Sequence, residues 1–463
     1  MNFENDTYYY LQDMIDKLNN FFSTVGGISA NTDYSSLTFD KVENFVQSKV
    51  PPNVEFKIPL IKLDDAKSLL NKLDASKATG SDNLGPYFLK LSSEIVAPCI
   101  TYLINLSILQ GVFPSNLKIA KVTPLYKSGD KSLPENYRPI SVLPCFSKIV
   151  EKHVASHLYL YLSKYKLLHE SQSGFRSQYS CHTALTHLID KWLKCMDDGN
   201  LIGTLFLDLK KAFDTVDHYI LCAKLKCCKI CTHSLKWLES YLSFRRQNIC
   251  IGNSISSSES VKYGVPQGSI LEPLLFILFI NDLTLENITS DIDMYADDTT
   301  LHCHSKNKLD IEKNLNNDLN LVNLWCNKNN MVINPRKTTA ILIGTSQRRA
   351  TVDTELKIYI ENQSINTVKL QKLLGIYIDN NLDWKYQVDH ICKTISSRLF
   401  LFTKNKKYLE KNVEFCFSIP TFYQFFITAV LYGETVMMRE FRGSQNFRKE
   451  LQELLLMLLF YSY

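Results

Sequence analysis

No basic-then-apolar leader opens this 463-residue chain, no repeat of 20–50 residues runs along it, and no low-complexity tract interrupts it. These absences argue against a secreted protein and against a solenoid or propeller. A paired cysteine framework is missing as well. The thirteen cysteines are odd in number and scattered, which points to reduced thiols in an intracellular compartment. Long hydrophobic runs are scarce too. The longest uncharged run, "FCFSIPTFYQFFITAVLYG" at 415–433, contains Ser418, Pro420, Thr421, Gln424 and Thr428. It has no companion span and reads as a buried aromatic helix, so no membrane partner is expected. Nor does one sign of charge dominate: the net is +5, with the first 50 residues at −4 and the remainder at +9. A basic body suits a polyanionic partner.

The length exceeds what a single hydrophobic core supports, so two or more packed units are expected. Residues 1–54 are acidic, end at "VPPN", and read as a leader and linker. From 55 to 200 the pattern gives helices near 64–73 and 87–110, short strands with basic turns over 118–150, and helices through 147–164 and 180–196. Between 201 and 380, strands and hairpins alternate with a few covering helices, which predicts an α+β layer rather than a doubly wound parallel sheet. Residues 381–440 read as basic helices, and 441–463 as a degenerate or truncated tail. The cluster Cys222, Cys227, Cys228, Cys231 and His233 has zinc-like spacing. Nothing pairs it with a second ligand half at finger-like distance, so half-buried thiols on a helix are the better reading.

Two stretches carry unusual charge. In "IDMYADDTTLHC" (292–303), Asp297 and Asp298 stand together between β-prone runs, where Asn-Gly would turn the chain without repulsion. In "TLFLDLKKAFDTVDH", Asp208 directly follows a run that reads as a buried strand, where an unpartnered charge is costly. Taken singly, Asp-Asp is a solvated turn, and Asp214 or Asp217 fits a helix start. Taken together, three carboxylates meeting in space would take hard divalent cations, typically magnesium. Two such ions support in-line phosphoryl displacement.

"PLYKSGDKSLPENYRPISVLPCFSKIVEKHV", "HESQSGFRSQYSCHTAL", "FLDLKKAFDTVDH", "YGVPQGSILEPLLFILFINDL", "MYADDTTL", "INPRKT" and "LLGIYID" follow one another in order. Over about 55–435 the chain resembles the reverse transcriptase of a non-LTR, jockey-like retrotransposon. The resemblance implies a right-hand polymerase with fingers, palm and thumb, its core at about 107–378. Asp208, Asp297 and Asp298 match the metal-binding triad, and Leu209 stands where a backbone carbonyl ligand is supplied. Two Mg2+ ions are implied, with Mn2+ a possible substitute. Phe213 matches the aromatic under the incoming sugar, and also reads as a core residue of the following helix. Gln267 resembles the residue touching the template and nascent base pair. Lys127 and Arg138 resemble triphosphate-binding finger residues, though a solvated pair reads as well. Lys337 resembles the palm lysine near the leaving pyrophosphate. Leu374 and Gly375 match the primer grip, or plain strand packing. The implied partners are an RNA template, a DNA primer and dNTPs.

This sequence departs from the family pattern at Glu272, where glycine is usual, and at Ser81, Asp82 and Asn83, where Pro-Asp-Gly is usual. Glu272 would be favoured by a helix dipole or would repel a nearby phosphate. The terminus fades from the family pattern, and no nuclease segment is expected before residue 1, so nicking of the target would come in trans. Two rivals follow. One is an impaired element copy that only binds nucleic acid; the other is an RNA-dependent RNA polymerase, which Phe213 disfavours. The compartment expected is nucleus or cytoplasm.

Overall fold

The computed structural model describes residues 2–3, 6–7, 11–27 and 34–405. The aromatic run at 415–433, the later part of the expected thumb and the tail at 441–463 lie outside the described residues. In chain order, the elements that place the site are helix α1 (Leu11–Thr24), strands β1 (Ile119–Tyr126) and β2 (Tyr137–Val142), and helix α2 (Cys145–Lys164). Next come β3 (Leu201–Leu207), β4 (Arg245–Ile251), α3 (Glu272–Ile280), β5 (Asp291–Tyr295) and β6 (Asp298–Ser305). Strands β7 (Thr339–Ile343), β8 (Leu370–Leu373) and β9 (Ile376–Asp379) complete the set. Helices and strands share the chain without βαβ regularity, so the α+β class expected from the sequence holds.

The chain divides into two compact units. The first holds Met1–Ser177, Leu207–Thr300 and Asn317–Lys337; the second holds Gln178–Phe206, Leu301–Asn316 and the chain from Thr338 on. In the first unit, β1 pairs antiparallel with β2 and parallel with β4. Helix α1 covers this sheet. Its residues Ile15, Leu18 and Phe22 join Ala120, Val122, Leu143 and Ile249 in one core. The expectation of a leader and linker over 1–54 is therefore corrected, at least for α1. Acidic side chains outnumber basic ones there, but apolar residues at i, i+3 and i+7 form a stripe that the sheet buries. Asn19 sits inside the contact with its amide satisfied, donating to the carbonyls of Gln247 and Ser257 at 3.3 and 2.8 Å.

In the second unit, β3 is buried along its whole length and pairs antiparallel with β7, Phe206 opposite Thr339 and Ile202 opposite Ile343. Trp192, Ile202, Phe206, Ile341, Ile343, Ile376, Ile378 and Trp384 form its core. A strand buried on both faces reads as a continuous apolar run, which is how "LIGTLFL" announced itself. Strands β8 and β9 form an antiparallel hairpin in this unit.

Boundaries moved by a few residues. The helix expected over 87–110 is broken at Ser92 into Pro86–Leu91 and Ser93–Gln110. Within 331–344, regular strand is confined to Thr339–Ile343. Among the described residues, one helix, Ser93–Gln110, is long and apolar enough to cross a membrane by length and composition. It buries Ala97, Ile100, Ile104 and Ile108 inside the protein.

Candidate active site

Asp208 follows the last residue of β3, where the buried strand emerges. Two contacts from Asn334 hold it: the Asn334 N–H donates to the Asp208 carbonyl at 2.7 Å, and Nδ2 donates to Oδ2 at 3.0 Å. The next residues, Leu209 and Lys210, continue the pairing through a bridge to Ile333 and a 2.9 Å bond to the Val332 carbonyl. "INPRKT" thus orients a carboxylate through Asn334, a role the sequence reading did not assign. An amide one residue past a short strand partner is its only trace in the sequence.

The β5–β6 hairpin carries Asp297 and Asp298 within electrostatic reach of Asp208, all three in the first unit. Its tip residue, Ala296, has φ +58°, a left-handed conformation that costs a non-glycine residue about 1–2 kcal/mol. Gln172 holds that conformation. Its Oε1 accepts from the Ala296 N–H at 2.9 Å and from the Gly174 N–H at 2.7 Å, and its Nε2 donates to the Ala296 carbonyl at 3.4 Å. The surrounding loop pairs with the hairpin, Ser173 N–H to Met294 O and Met294 N–H to Ser171 O, both at 2.8 Å. A glutamine two residues before a glycine carries no signal in the sequence, and only its complete burial marks Gln172 out.

The electrostatics join these pieces. Burial, then Asp297 and Asp208, push the Asp298 carboxyl up to about 6, although one side of it opens to solvent. Asp297 is also raised, chiefly by burial and further by Asp208, against the opposing pull of Arg138 and Lys127. Lys127 is lowered by burial, then by Arg138 and Lys337, while Asp208 and Asp297 act the other way. Lys127 thus lies within electrostatic reach of Asp208, Asp297, Asp298, Arg138 and Lys337, all in the first unit. Arg138 reaches it because the β1–β2 register sets it opposite Leu125.

Phe213 stacks on Phe276 of α3 with centroids 4.0 Å apart, and Phe175 meets it edge-on at 6.3 Å. It is half-buried, packed on one face by the core and open on another. Gln267 donates from Nε2 to Asp214 Oδ1 at 2.9 Å. Leu374 and Gly375 form the turn between β8 and β9, with φ of +48° and +90°. They belong to the second unit, and Leu374 packs against its core.

Among the described residues, no three His, Cys, Asp or Glu side chains are gathered as a ready ion cage. That includes the three aspartates as they stand here. Their chemistry nonetheless fits a hard divalent cation: all three offer oxygen donors only, and burial and neighbouring acidic charge disfavour the charged forms of Asp297 and Asp298. The cysteine cluster differs. Burial pushes Cys222, Cys227 and Cys228 up to about 12, His233 faces the Ile108 carbonyl at 2.7 Å, and Cys231 contacts Ser234.

The family model described as reverse transcriptase (RNA-dependent DNA polymerase) matches residues 125–386, more than half of the chain. Similar curated proteins include the probable RNA-directed DNA polymerase from transposon BS of Drosophila melanogaster, 28% identical over 76% of this chain and 39% of its own length. That from transposon X-element of the same organism is 29% identical, over 68% of this chain and 35% of its own length. The RNA-directed DNA polymerase from mobile element jockey, again of D. melanogaster, is 26% identical over 78% and 39%. The match thus spans well under half the length of these relatives.

Proposed function

Since this chain belongs to the reverse transcriptase (RNA-dependent DNA polymerase) family, we propose that it extends a DNA primer on an RNA template, as the polymerase of a non-LTR retrotransposon. The observation that carries this reading is that Asp208, Asp297 and Asp298 lie within electrostatic reach of one another and of Lys127, which Arg138 and Lys337 also influence. Asp208, Asp297, Asp298 and the Leu209 carbonyl would hold two magnesium ions, with manganese a possible substitute. When bound, the ions lower the pKa of the primer 3′-hydroxyl and stabilise the charge of the departing pyrophosphate.

The chain's own groups do the rest. Lys127 and Arg138 receive the triphosphate, and Lys337 faces the leaving pyrophosphate. Burial and neighbouring cations disfavour the charged form of Lys127, so an incoming polyanion restores what the fold takes away. Phe213, backed by Phe276, sets a wall under the sugar. Gln267 lies against the template and nascent base pair, and the Leu374–Gly375 turn supports the primer strand. The unbridged thiols of the buried Cys145, Cys228 and Cys326 fit an intracellular setting, nucleus or cytoplasm. The primer in this reading is a nicked DNA end.

Primer extension on a homopolymer RNA, with and without magnesium, tests the proposal. Magnesium-dependent dNTP incorporation is expected, and its absence on every RNA template tried would refute the reading. Sugar choice gives a second test. Phe213→Val is expected to raise ribonucleotide use relative to deoxynucleotide use by about 10- to 100-fold in kcat/KM. An unchanged ratio would remove Phe213 from the sugar site and favour a core role.

A further inference from the structure

Glu272 stands where the family pattern has glycine, and the fold gives it a specific task. It opens α3, is 9% exposed, and turns back onto the preceding loop. Its Oε2 accepts from the Gly268 N–H at 2.6 Å. The carbonyl on the other side of the same peptide group, that of Gln267, accepts from the Ser141 N–H of β2 at 2.8 Å. Both polar ends of the Gln267–Gly268 peptide are therefore held, one by β2 and one by Glu272. Gly268 has φ +104°, and a Cβ there would lie 2.6 Å from the Ser141 carbonyl oxygen, so only glycine fits the clamped turn.

Neighbouring groups reinforce the arrangement. The Ile270 N–H donates to Glu151 Oε2 of α2 at 2.7 Å, while Ser147 holds Oε1 of the same carboxylate at 2.6 Å. The Glu272 N–H donates to Ser269 Oγ at 3.0 Å. The turn is anchored to Asp214 as well, through the Gln267 side chain. Glu272 itself faces a low-dielectric interior with Asp214 and Glu151 nearby, and burial pushes its carboxyl up to about 8. At neutral pH it is mostly an uncharged acid, which glutamine imitates in shape and charge.

We propose that Glu272 is a positioning residue: by fixing the Gln267–Gly268 peptide, it sets the angle at which Gln267 meets the nascent base pair. This rests on the polymerase reading for what Gln267 touches, but the clamp is a property of the fold. The alternative of a carboxylate repelling nucleic-acid phosphate does not match a buried side chain bonded to its own loop.

The test compares Glu272→Gly and Glu272→Gln in the full chain, with dTTP on an oligo(dT)-primed poly(rA) template and magnesium. Glu272→Gly should raise KM for dTTP about 3- to 10-fold with kcat changed less than about twofold, and Glu272→Gln should restore KM. A merely structural role would lower the amount of active enzyme without moving KM. Hydrogen exchange of segment 264–272 gives a readout independent of activity. Exchange at Gly268 should quicken at least about 10-fold in Glu272→Gly and stay slow in Glu272→Gln. Unchanged exchange in Glu272→Gly overturns the clamp, whether or not the chain polymerises. A gain of activity in Glu272→Gly, or equal KM defects in both variants, overturns the positioning role. Absence of incorporation in every form, with the exchange difference intact, refutes the polymerase reading and leaves the clamp standing.

Discussion

Asp298→Asn is expected to lower magnesium-dependent incorporation by about 10³-fold or more while leaving the fold intact. The amide keeps the shape of the side chain but removes one of the anionic oxygens proposed to hold the ions. Stability should move the other way in metal-free buffer. Burial and the charges of Asp297 and Asp208 hold the Asp298 carboxyl at about 6, above its usual 3.8. A carboxyl raised in the folded state binds its proton more tightly there than in the unfolded chain. Its effect on stability is then neutral below about pH 4 and becomes increasingly unfavourable as pH rises through 6. Asparagine lacks that burden. The variant should melt no lower than wild type above pH 6 and match it near pH 4. Incorporation persisting at the wild-type rate in Asp298→Asn would remove the triad from the mechanism. A variant that melts well below wild type at pH 7 would show that Asp298 is a structural anchor.

Gln172→Leu should have the next largest effect, a fall in kcat of about 10- to 100-fold with little change in template affinity. Leucine fills the site but takes no hydrogen bonds. It strips partners from the Ala296 N–H, the Ala296 carbonyl and the Gly174 N–H at once. Each buried amide group left unsatisfied costs about 1–3 kcal/mol, and Ala296 is already in a disfavoured conformation. The cheapest relief is for Ala296 to leave the left-handed region, which swings Asp297 and Asp298 out of place. Gly174→Ala should act in the same direction, since a Cβ there would lie 2.2 Å from the Ala296 nitrogen. Steady-state kinetics with a melting curve would check both. A Gln172→Leu enzyme with wild-type kcat would show that the hairpin tip holds itself.

Much of this chain was legible before any fold was known. The buried strand just before Asp208 carries no charge and a single hydroxyl, Thr204, and such a run has few alternatives to a covered strand. The acidic doublet at 297–298 stood out because a turn seldom gains from two adjacent like charges. Composition misled at the start of the chain. The seven acidic residues of the first 50 outnumber the three apolar positions of α1 that pack on the sheet, so counting charges hid a core helix. Gln172 and Asn334 were invisible for another reason. Glutamine and asparagine are ordinary loop residues, and only burial against a specific backbone amide turns either into a positioning group.

Glu272 shows most clearly where local information ends. From the chain alone, a carboxylate at the start of a helix is a favourable charge or an obstacle to a phosphate, and nothing nearby in sequence chooses. The decision comes from β2, more than a hundred residues earlier, which holds the Gln267 carbonyl and so presents the Gly268 amide to Glu272. Residue chemistry and order name the candidates for catalysis, because buried charge is expensive wherever it occurs. Which oxygen meets which amide is set by packing between distant segments, since a hydrogen bond counts only at the right distance and angle and those are properties of the folded chain.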